Sequence, residues 1–225
     1  MNTVLLADCA SDEEAPRSWA ETLRAVMRPD LRPRPAPSTP ARDNHGSYRL
    51  AERLKAILDD NWTLIRGYAN SAGQLDNILV GPHGVMTLAC TALHGRIHCD
   101  GVHWQRDKFD VYNNLVERAA PVAVDPTGDL YAASACLQQV LLAQTSIRQV
   151  AMALVMTHPA TTLGNIRHAR LNMVTLLAEL KTATLLQALS AHPDHKTIDG
   201  VVEVIRHQHS SSPRRRGPIP STQKR

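Results

Sequence analysis

The 225-residue sequence contains no apolar run of about 18 residues or more, the length that a membrane-spanning helix requires. Its first ten residues show no basic leader before a short apolar stretch, so we expect neither export nor membrane insertion. Close cysteine pairs with C-x-x-C spacing are also missing. Reduced thiols in a cytoplasmic protein are therefore the expectation. The four cysteines are Cys9, Cys90, Cys99 and Cys136.

Two catalytic signatures are absent as well, and aromatic residues make up only 4% of the sequence. There is no Gly-x-Ser-x-Gly elbow and no His-Glu-x-x-His helix, so neither a serine hydrolase nor a zincin is supported. The sequence has a single Phe, which means that any core is built mostly from aliphatic side chains. Its charged and hydrophobic shares are ordinary for a globular protein, which excludes wholesale disorder.

Positive charge exceeds negative charge only in the last twenty residues. Residues 1–205 hold 19 of the 25 lysines and arginines and all 21 acids, a net charge of −2, so they lack the basic excess typical of nucleic-acid-binding proteins. The tail contains Arg214, Arg215 and Arg216, which are candidates for nonspecific contacts with nucleic-acid phosphates. A solvated tail that aids solubility explains them equally well. Because no aromatic residues are interleaved, the tail offers no platform for base stacking.

Composition divides the chain into four segments. Residues 1–28 are expected to contain a short amphipathic helix, over residues 15–27. Residues 29–45 form a Pro-rich linker. Residues 46–208 are predicted to form one folded domain, and residues 209–225 a disordered basic tail.

Within residues 46–208, the hydrophobic pattern predicts a mixture of helices and strands. The turn Gly81-Pro82-His83-Gly84 predicts a hairpin, and Asp100-Gly101 predicts a second one. The order favours an α/β fold in which a central mixed β-sheet is flanked by helices. Predicted strands cover residues 62–68, 75–80, 85–90, 95–104, 150–156 and 172–176, and predicted helices cover about 47–60, 130–141, 177–189 and 196–208.

Three stretches of the sequence match motifs that are typical of one known family. They are Asn61-Trp62-Thr63, Gln74-Leu75-Asp76-Asn77-Ile78-Leu79-Val80-Gly81-Pro82-His83-Gly84-Val85, and Leu93-His94-Gly95-Arg96-Ile97. Together with the later Thr157-His158-Pro159, they resemble the nuclease-related domain family, which is similar in fold to restriction endonucleases. The resemblance covers residues 46–207 and implies a restriction-endonuclease-like core.

The resemblance also implies where a nuclease site would lie. Family members typically have a Gly-Glu pair opening the first helix, then an Asp before the hairpin and a Glu-x-Lys after it. Asp76 keeps the first acidic position, but Ala89 and Thr91 occupy the Glu and Lys positions, and Ser47 the helix position. Such nucleases need acidic oxygens for a divalent cation and a Lys beside the attacking water. The resemblance therefore implies a catalytically degenerate domain with no cofactor, or Mg²⁺ if it is active.

Three functions remain open. The first is a degenerate nuclease-related protein that acts by binding, either to nucleic acid such as nonspecific DNA or to a protein partner, with no membrane contact. The second is a divergent metal-dependent DNA nuclease, in which Asp76 is the metal ligand and Asp100, Asp107 or Asp110 supply further acids. The third is a structural or assembly protein whose Pro-rich linker and N-terminal helix dock a partner. For Asp76 itself, a solvent-facing residue at a strand start is the alternative to a metal ligand.

A zinc site is a further alternative. Cysteine and histidine are the usual zinc ligands, but their spacing here fits no ligand pattern, and adjacent strand residues point to opposite faces. Surface histidines and buried cysteines are the favoured interpretation. The residues concerned are Cys90, His94, His98, Cys99 and His103.

Overall fold

A mixed six-stranded β-sheet lies at the centre of the fold, in a computed structural model that describes residues 1–6, 44–189 and 198–211. The strands in spatial order are β1 (Asn2–Leu5), β2 (Thr63–Asn70), β3 (Gly73–Gly81), β4 (Gly84–Thr91), β8 (Val150–Met156) and β10 (Met173–Leu176). Strands β2, β3 and β4 run antiparallel, whereas β1 is parallel to β2, and β8 is parallel to both β4 and β10. This confirms the α/β class with a central mixed sheet.

The predicted hairpin between β3 and β4 is confirmed, and its turn packs tightly. Val80 pairs with Val85 and Gly81 with Gly84, so the turn closes directly onto the strands. Gly84 has a φ of 125°, which favours glycine. A side chain at Gly81 would overlap the indole of Trp62, so this position tolerates no Cβ.

A second sheet of four strands covers one end of the central sheet. Its order is β7 (Leu115–Pro121), β6 (His103–Phe109), β5 (Gly95–Asp100) and β9 (Thr161–Leu163). The β5–β6 hairpin was predicted, and Gly101 in its turn has a φ of 66°. Strands β7 and β9 were not predicted. All but one residue of β7 is exposed, so it lacks the alternation that marks a half-buried strand.

Helices cover both faces of the central sheet. Helix α1 (Asn44–Ile57) packs on one face, where Leu50, Leu54 and Trp62 belong to the larger core cluster. Helices α2 (Leu130–Gln144) and α4 (Ile198–Ser211) pack on the other face. The second sheet lies on that same face, against Leu154 and Met156 of β8. No helix in the described part of the chain is long and apolar enough to cross a membrane.

The helix predicted over residues 177–189 is interrupted. A 3₁₀ turn (Leu177–Glu179) and helix α3 (Thr182–Ala188) replace it, because Leu180 and Lys181 adopt extended backbone conformations. The break leaves the Leu180 carbonyl oxygen to accept hydrogen bonds from the Arg53 guanidinium, at 3.1 and 2.9 Å. A tertiary contact therefore ends the local helical pattern.

The first residues of the chain are part of the central sheet. β1 pairs in parallel with residues 63–66, although the segment up to residue 28 was expected to lie outside a domain beginning at residue 46. A parallel partner about sixty residues away leaves no local pattern to detect. At the other end, α4 runs to Ser211, past the expected boundary at residue 208. The helix predicted over residues 15–27, the linker up to residue 43 and the tail from residue 212 lie outside the described residues.

Candidate functional site

A cavity of about 630 Å³ opens between the two sheets. One wall consists of the start of β3 and the end of β4, and another consists of β6 and the loop of residues 122–130 that precedes α2. Apolar residues, including Leu75, Leu93 and Val124, make up most of its lining, and several polar residues interrupt them. The cavity is thus mainly apolar with a few polar groups, as small-molecule sites commonly are.

Three of the four positions predicted from the sequence meet at this cavity. Asp76, Ala89 and Thr91 all line it. The register explains why, since Asn77 pairs with Leu88, so that Asp76 and Ala89 stand one residue further along on neighbouring strands. Thr91 follows Ala89 by two residues and so shares its face of the strand. Of the three side chains, only that of Asp76 can bind a cation strongly, and it is half-buried.

Ser47 does not reach the cavity. Its hydroxyl donates a hydrogen bond to Oδ1 of Asn77 at 3.1 Å and accepts one from Nη2 of Arg66 at 3.3 Å. Neighbouring strand residues point to opposite faces, so Asn77 and Ser47 lie behind the sheet as seen from Asp76. The position that the resemblance groups with the metal site is therefore on the α1 side of β3.

Two acids at the cavity were missed by sequence reasoning. Asp125 and Asp129 line it from the loop that precedes α2, and Asp129 lies against the start of β3. Asp125 accepts hydrogen bonds from the backbone N–H and the hydroxyl of Thr127, at 2.8 and 2.6 Å, and Asp129 accepts one from the N–H of Gln74 at 3.3 Å. The stretch Asp125-Pro126-Thr127-Gly128-Asp129 is rich in turn residues, which mark a loop but give no sign that it closes a cavity.

The acids that the sequence offered for a divergent nuclease lie elsewhere. Asp107 accepts hydrogen bonds from the N–H of Ala119 at 2.8 Å and from Nε2 of His98 at 3.2 Å. The bond from Ala119 is the main cause that lowers the pKa of Asp107, with His98 adding to it. Asp110 closes the β6–β7 turn, and its hydrogen bonds from Asn114 lower its pKa. Asp100 ends β5, and none of the three lines the cavity.

The candidate zinc ligands are dispersed. Cys90 and His94 line the cavity, whereas His98 is bonded to Asp107 and Cys99 is buried in the core of the second sheet. His103 is exposed at the start of β6. Among residues 1–6, 44–189 and 198–211, no three His, Cys, Asp or Glu side chains are grouped so that they could hold a metal ion.

Arg106 is the cation of the cavity. It is the single Lys or Arg among the described residues that line it. Its Nε atom is buried and has no hydrogen-bond partner within the described part of the chain. It lies opposite Ile97 in the β5–β6 register and therefore points between the two sheets. A planar guanidinium in this position suits a phosphate or carboxylate group.

The remaining predicted contacts, at Arg214, Arg215 and Arg216, fall outside the described residues. They stay a prediction.

The comparisons with known proteins agree with the resemblance read from the sequence. A family model described as nuclease-related domain matches residues 42–157, which is just over half of the chain and includes β2–β8. Comparison with curated proteins and with solved structures found no match. On the strength of the matched model, the chain belongs to the nuclease-related domain family.

Proposed function

We propose that this protein binds nucleic acid at the cavity and does not cleave it. The observation that carries the proposal is the presence of Ala89 and Thr91 beside Asp76 on the cavity wall. Neither alanine nor threonine supplies the second carboxylate or the cation that metal-dependent phosphodiester cleavage needs. Without these groups, the charge that develops in the transition state has little stabilisation.

Arg106 supports retained binding. An unpaired guanidinium on the cavity wall is placed to take a backbone phosphate with two parallel hydrogen bonds. Asp125 and Asp129 oppose an anion, but each accepts a backbone N–H hydrogen bond that offsets part of its charge. The basic tail at residues 214–216 adds a nonspecific attraction for phosphates.

The test is a binding and cleavage titration with labelled single-stranded and duplex DNA. It is run at low and moderate salt, with and without Mg²⁺ or Mn²⁺. We expect salt-dependent binding and intact DNA. Arg106→Met should weaken binding by about tenfold or more, because a charged hydrogen-bond donor is lost. The matched control is Arg118→Met, which removes an exposed cation from β7, outside the cavity.

Two results would contradict the proposal. One is metal-dependent cleavage by the wild type that Asp76→Asn abolishes. The other is DNA binding that Arg106→Met and Arg118→Met change by the same factor. The first would revive the nuclease, and the second would leave the tail as the DNA contact.

A divergent nuclease is the second candidate, and a specific observation favours it. Asp125 and Asp129 line the same cavity as Asp76, so they replace Asp100, Asp107 and Asp110 as the acids to test. If this candidate is right, cleavage in Mn²⁺ is lost in Asp125→Asn and Asp129→Asn. It persists in Asp100→Asn, whose carboxylate does not line the cavity.

A structural or assembly role remains a third prediction, since the segment that would dock a partner lies outside the described residues. The strand β1 changes how it is tested. Deleting residues 1–44 would remove an edge strand of the central sheet together with the linker. Replacing residues 8–40 with a Gly/Ser linker spares β1, so loss of a partner would report on the segment itself.

A further inference from the structure

A buried polar cluster lies on the α1 side of the central sheet. Arg66 of β2 and Asn77 of β3 are paired directly across the two strands, so their side chains share one face. Arg66 is 7% exposed and Asn77 is fully buried. Both contact the hydroxyl of Ser47, in the first turn of α1. Three polar side chains thus converge under the N-terminus of a 14-residue helix.

The cluster has more hydrogen-bond donors than acceptors. Nε of Arg66 and Nδ2 of Asn77 are both buried, and neither has a partner in the part of the chain that the structure describes. Within that part, no carboxylate forms an ion pair with Arg66, and the first turn of α1 contains no acid. The guanidinium also stacks over the Tyr48 ring, with its central carbon 4.3 Å from the ring centroid. Buried donors of this kind are rare in native proteins and call for an acceptor.

The electrostatics of the cluster favour an anion. A buried cation without a counter-charge is strongly unfavourable, and the N-terminus of α1 adds the positive end of a helix dipole. Helix N-termini with a nearby Arg bind phosphate and carboxylate groups through this combination. The unpartnered donors here are Nε of the Arg66 guanidinium and Nδ2 of the Asn77 amide, and both suit a tetrahedral oxyanion.

We propose that Arg66, Asn77 and Ser47 form an oxyanion-binding site that takes a phosphate group. Tyr48 covers the site, and its side chain is half-exposed, so it can move aside to admit the ion. The site is separate from the cavity, because Asn77 and Asp76 point to opposite faces of β3. The proposal therefore stands independently of the proposed function.

Position 47 offers a direct way to test the site. A carboxylate placed there would lie beside both unpaired donors and would act as an internal occupant. Ser47→Glu should therefore compete with any external oxyanion, and Ser47→Gln is the matched control of equal size without the charge. Neither substitution touches the cavity.

The experiment measures the melting temperature of the full chain against inorganic phosphate, with NaCl matched for ionic strength. For the wild type, we expect a rise of about 5 °C or more when phosphate exceeds its Kd a hundredfold. Ser47→Glu should melt higher than the wild type without phosphate and should lose the response. Ser47→Gln should show no such gain without phosphate.

The proposal is overturned if the wild type does not respond to phosphate beyond the NaCl control, or if Ser47→Glu responds as strongly as the wild type. Arg66→Gln replaces a buried residue, and the variant can fail to fold. The test therefore uses the two variants Ser47→Glu and Ser47→Gln. The phosphorus NMR line width of inorganic phosphate gives a second readout, which should broaden with the wild type and not with Ser47→Glu.

A final experiment distinguishes whether the bound phosphate group belongs to nucleic acid or is a free ion. If inorganic phosphate displaces a labelled oligonucleotide from the wild type but not from Ser47→Glu, the site takes a phosphate of nucleic acid. If phosphate stabilises the protein without displacing the oligonucleotide, the site takes the free ion. Both results support an oxyanion site. Arg106→Met should alter oligonucleotide binding and leave the phosphate response intact, which separates this proposal from the proposed function.

Discussion

The two faces of the central sheet at β3 and its neighbours carry charges of opposite sign: a carboxylate lies on the cavity face and a guanidinium on the α1 face. On the cavity face, Asp76 keeps its carboxylate while its neighbours Ala89 and Thr91 carry no charge. On the α1 face, Arg66 keeps its cation while Ser47 supplies no counter-charge. The four positions that the resemblance assigns to one nuclease site therefore lie on two faces of the sheet. Residues 76, 89 and 91 line the cavity, whereas residue 47 contacts Asn77 and Arg66 under α1.

The largest effect is expected when charged side chains are placed on the cavity face. Ala89→Glu combined with Thr91→Lys restores a second carboxylate and a cation next to Asp76. We expect metal-dependent DNA cleavage to rise by about a hundredfold or more over the wild type, because charge stabilisation in the transition state returns. A nicking assay on supercoiled DNA measures it.

The control for this rebuilt site is Ala89→Gln with Thr91→Met, which matches the size of the side chains without their charge. Adding Asp76→Asn should abolish the gained cleavage. A folded double variant that cleaves no better than its control would show that the three positions do not form a working metal site.

The packing of the α1 face is tested at Gly81. Gly81→Ala drives a methyl group into the Trp62 indole, which is buried in the core under α1. Overpacking of this kind should lower the free energy of unfolding by about 3 kcal/mol, measured by urea denaturation. Gly200→Ala is the control, because Gly200 lies in α4 with open space around it. It should raise stability by up to about 1 kcal/mol, and equal losses at both positions would refute the packing argument.

On the cavity face, a buried polar contact joins β4 to helix α2. Thr87 of β4 and Ser134 of α2 are buried, and their hydroxyl oxygens lie 2.7 Å apart. Thr87→Val leaves the Ser134 hydroxyl without this partner and should cost about 1–2 kcal/mol of unfolding free energy. The double variant with Ser134→Ala should recover part of the loss. If the double variant is as unstable as the sum of its single variants, the two hydroxyls are not coupled.

The smallest expected effect concerns the second sheet, which forms the far wall of the cavity. The pKa of Asp107 is lowered, so its contribution to stability is present above the ordinary aspartate pKa of about 3.9 and is lost as the pH falls through the folded-state value. Asp107→Asn should therefore reduce the change in urea midpoint between pH 5 and acid. Asp199→Asn, on the exposed side of α4, is the control. Identical acid sensitivity in the wild type and Asp107→Asn would contradict this.

Much of the fold follows from local sequence patterns. The hairpin of β3 and β4 was predictable from its turn residues, and the seven apolar residues 150–156 gave the buried strand β8. The edge strands β1 and β7 were not predicted, because β7 has almost no buried face and β1 depends on a distant parallel partner. Local patterns report burial and turns, and they carry no information about pairing over long separations.

The candidate site was predictable where strand geometry alone determines it. Spacing of two residues places Ala89 and Thr91 on one face of β4, and the hairpin register brings Asp76 beside them. Arg106 and Asp129 could not be found in this way, because a separate sheet and a loop carry them to the cavity. The position of Ser47 depends on which face of the sheet α1 covers, and no local pattern encodes that choice.

The parallel pairing of β1 with β2 also has a consequence for synthesis of the chain. Residues 2–5 leave the ribosome before their partners at residues 63–66, which emerge about sixty residues later. At about 5–20 residues per second, the unpaired strand waits for several seconds. The edge of the central sheet is therefore completed late, and a chaperone that holds this nascent strand has time to act before β1 docks.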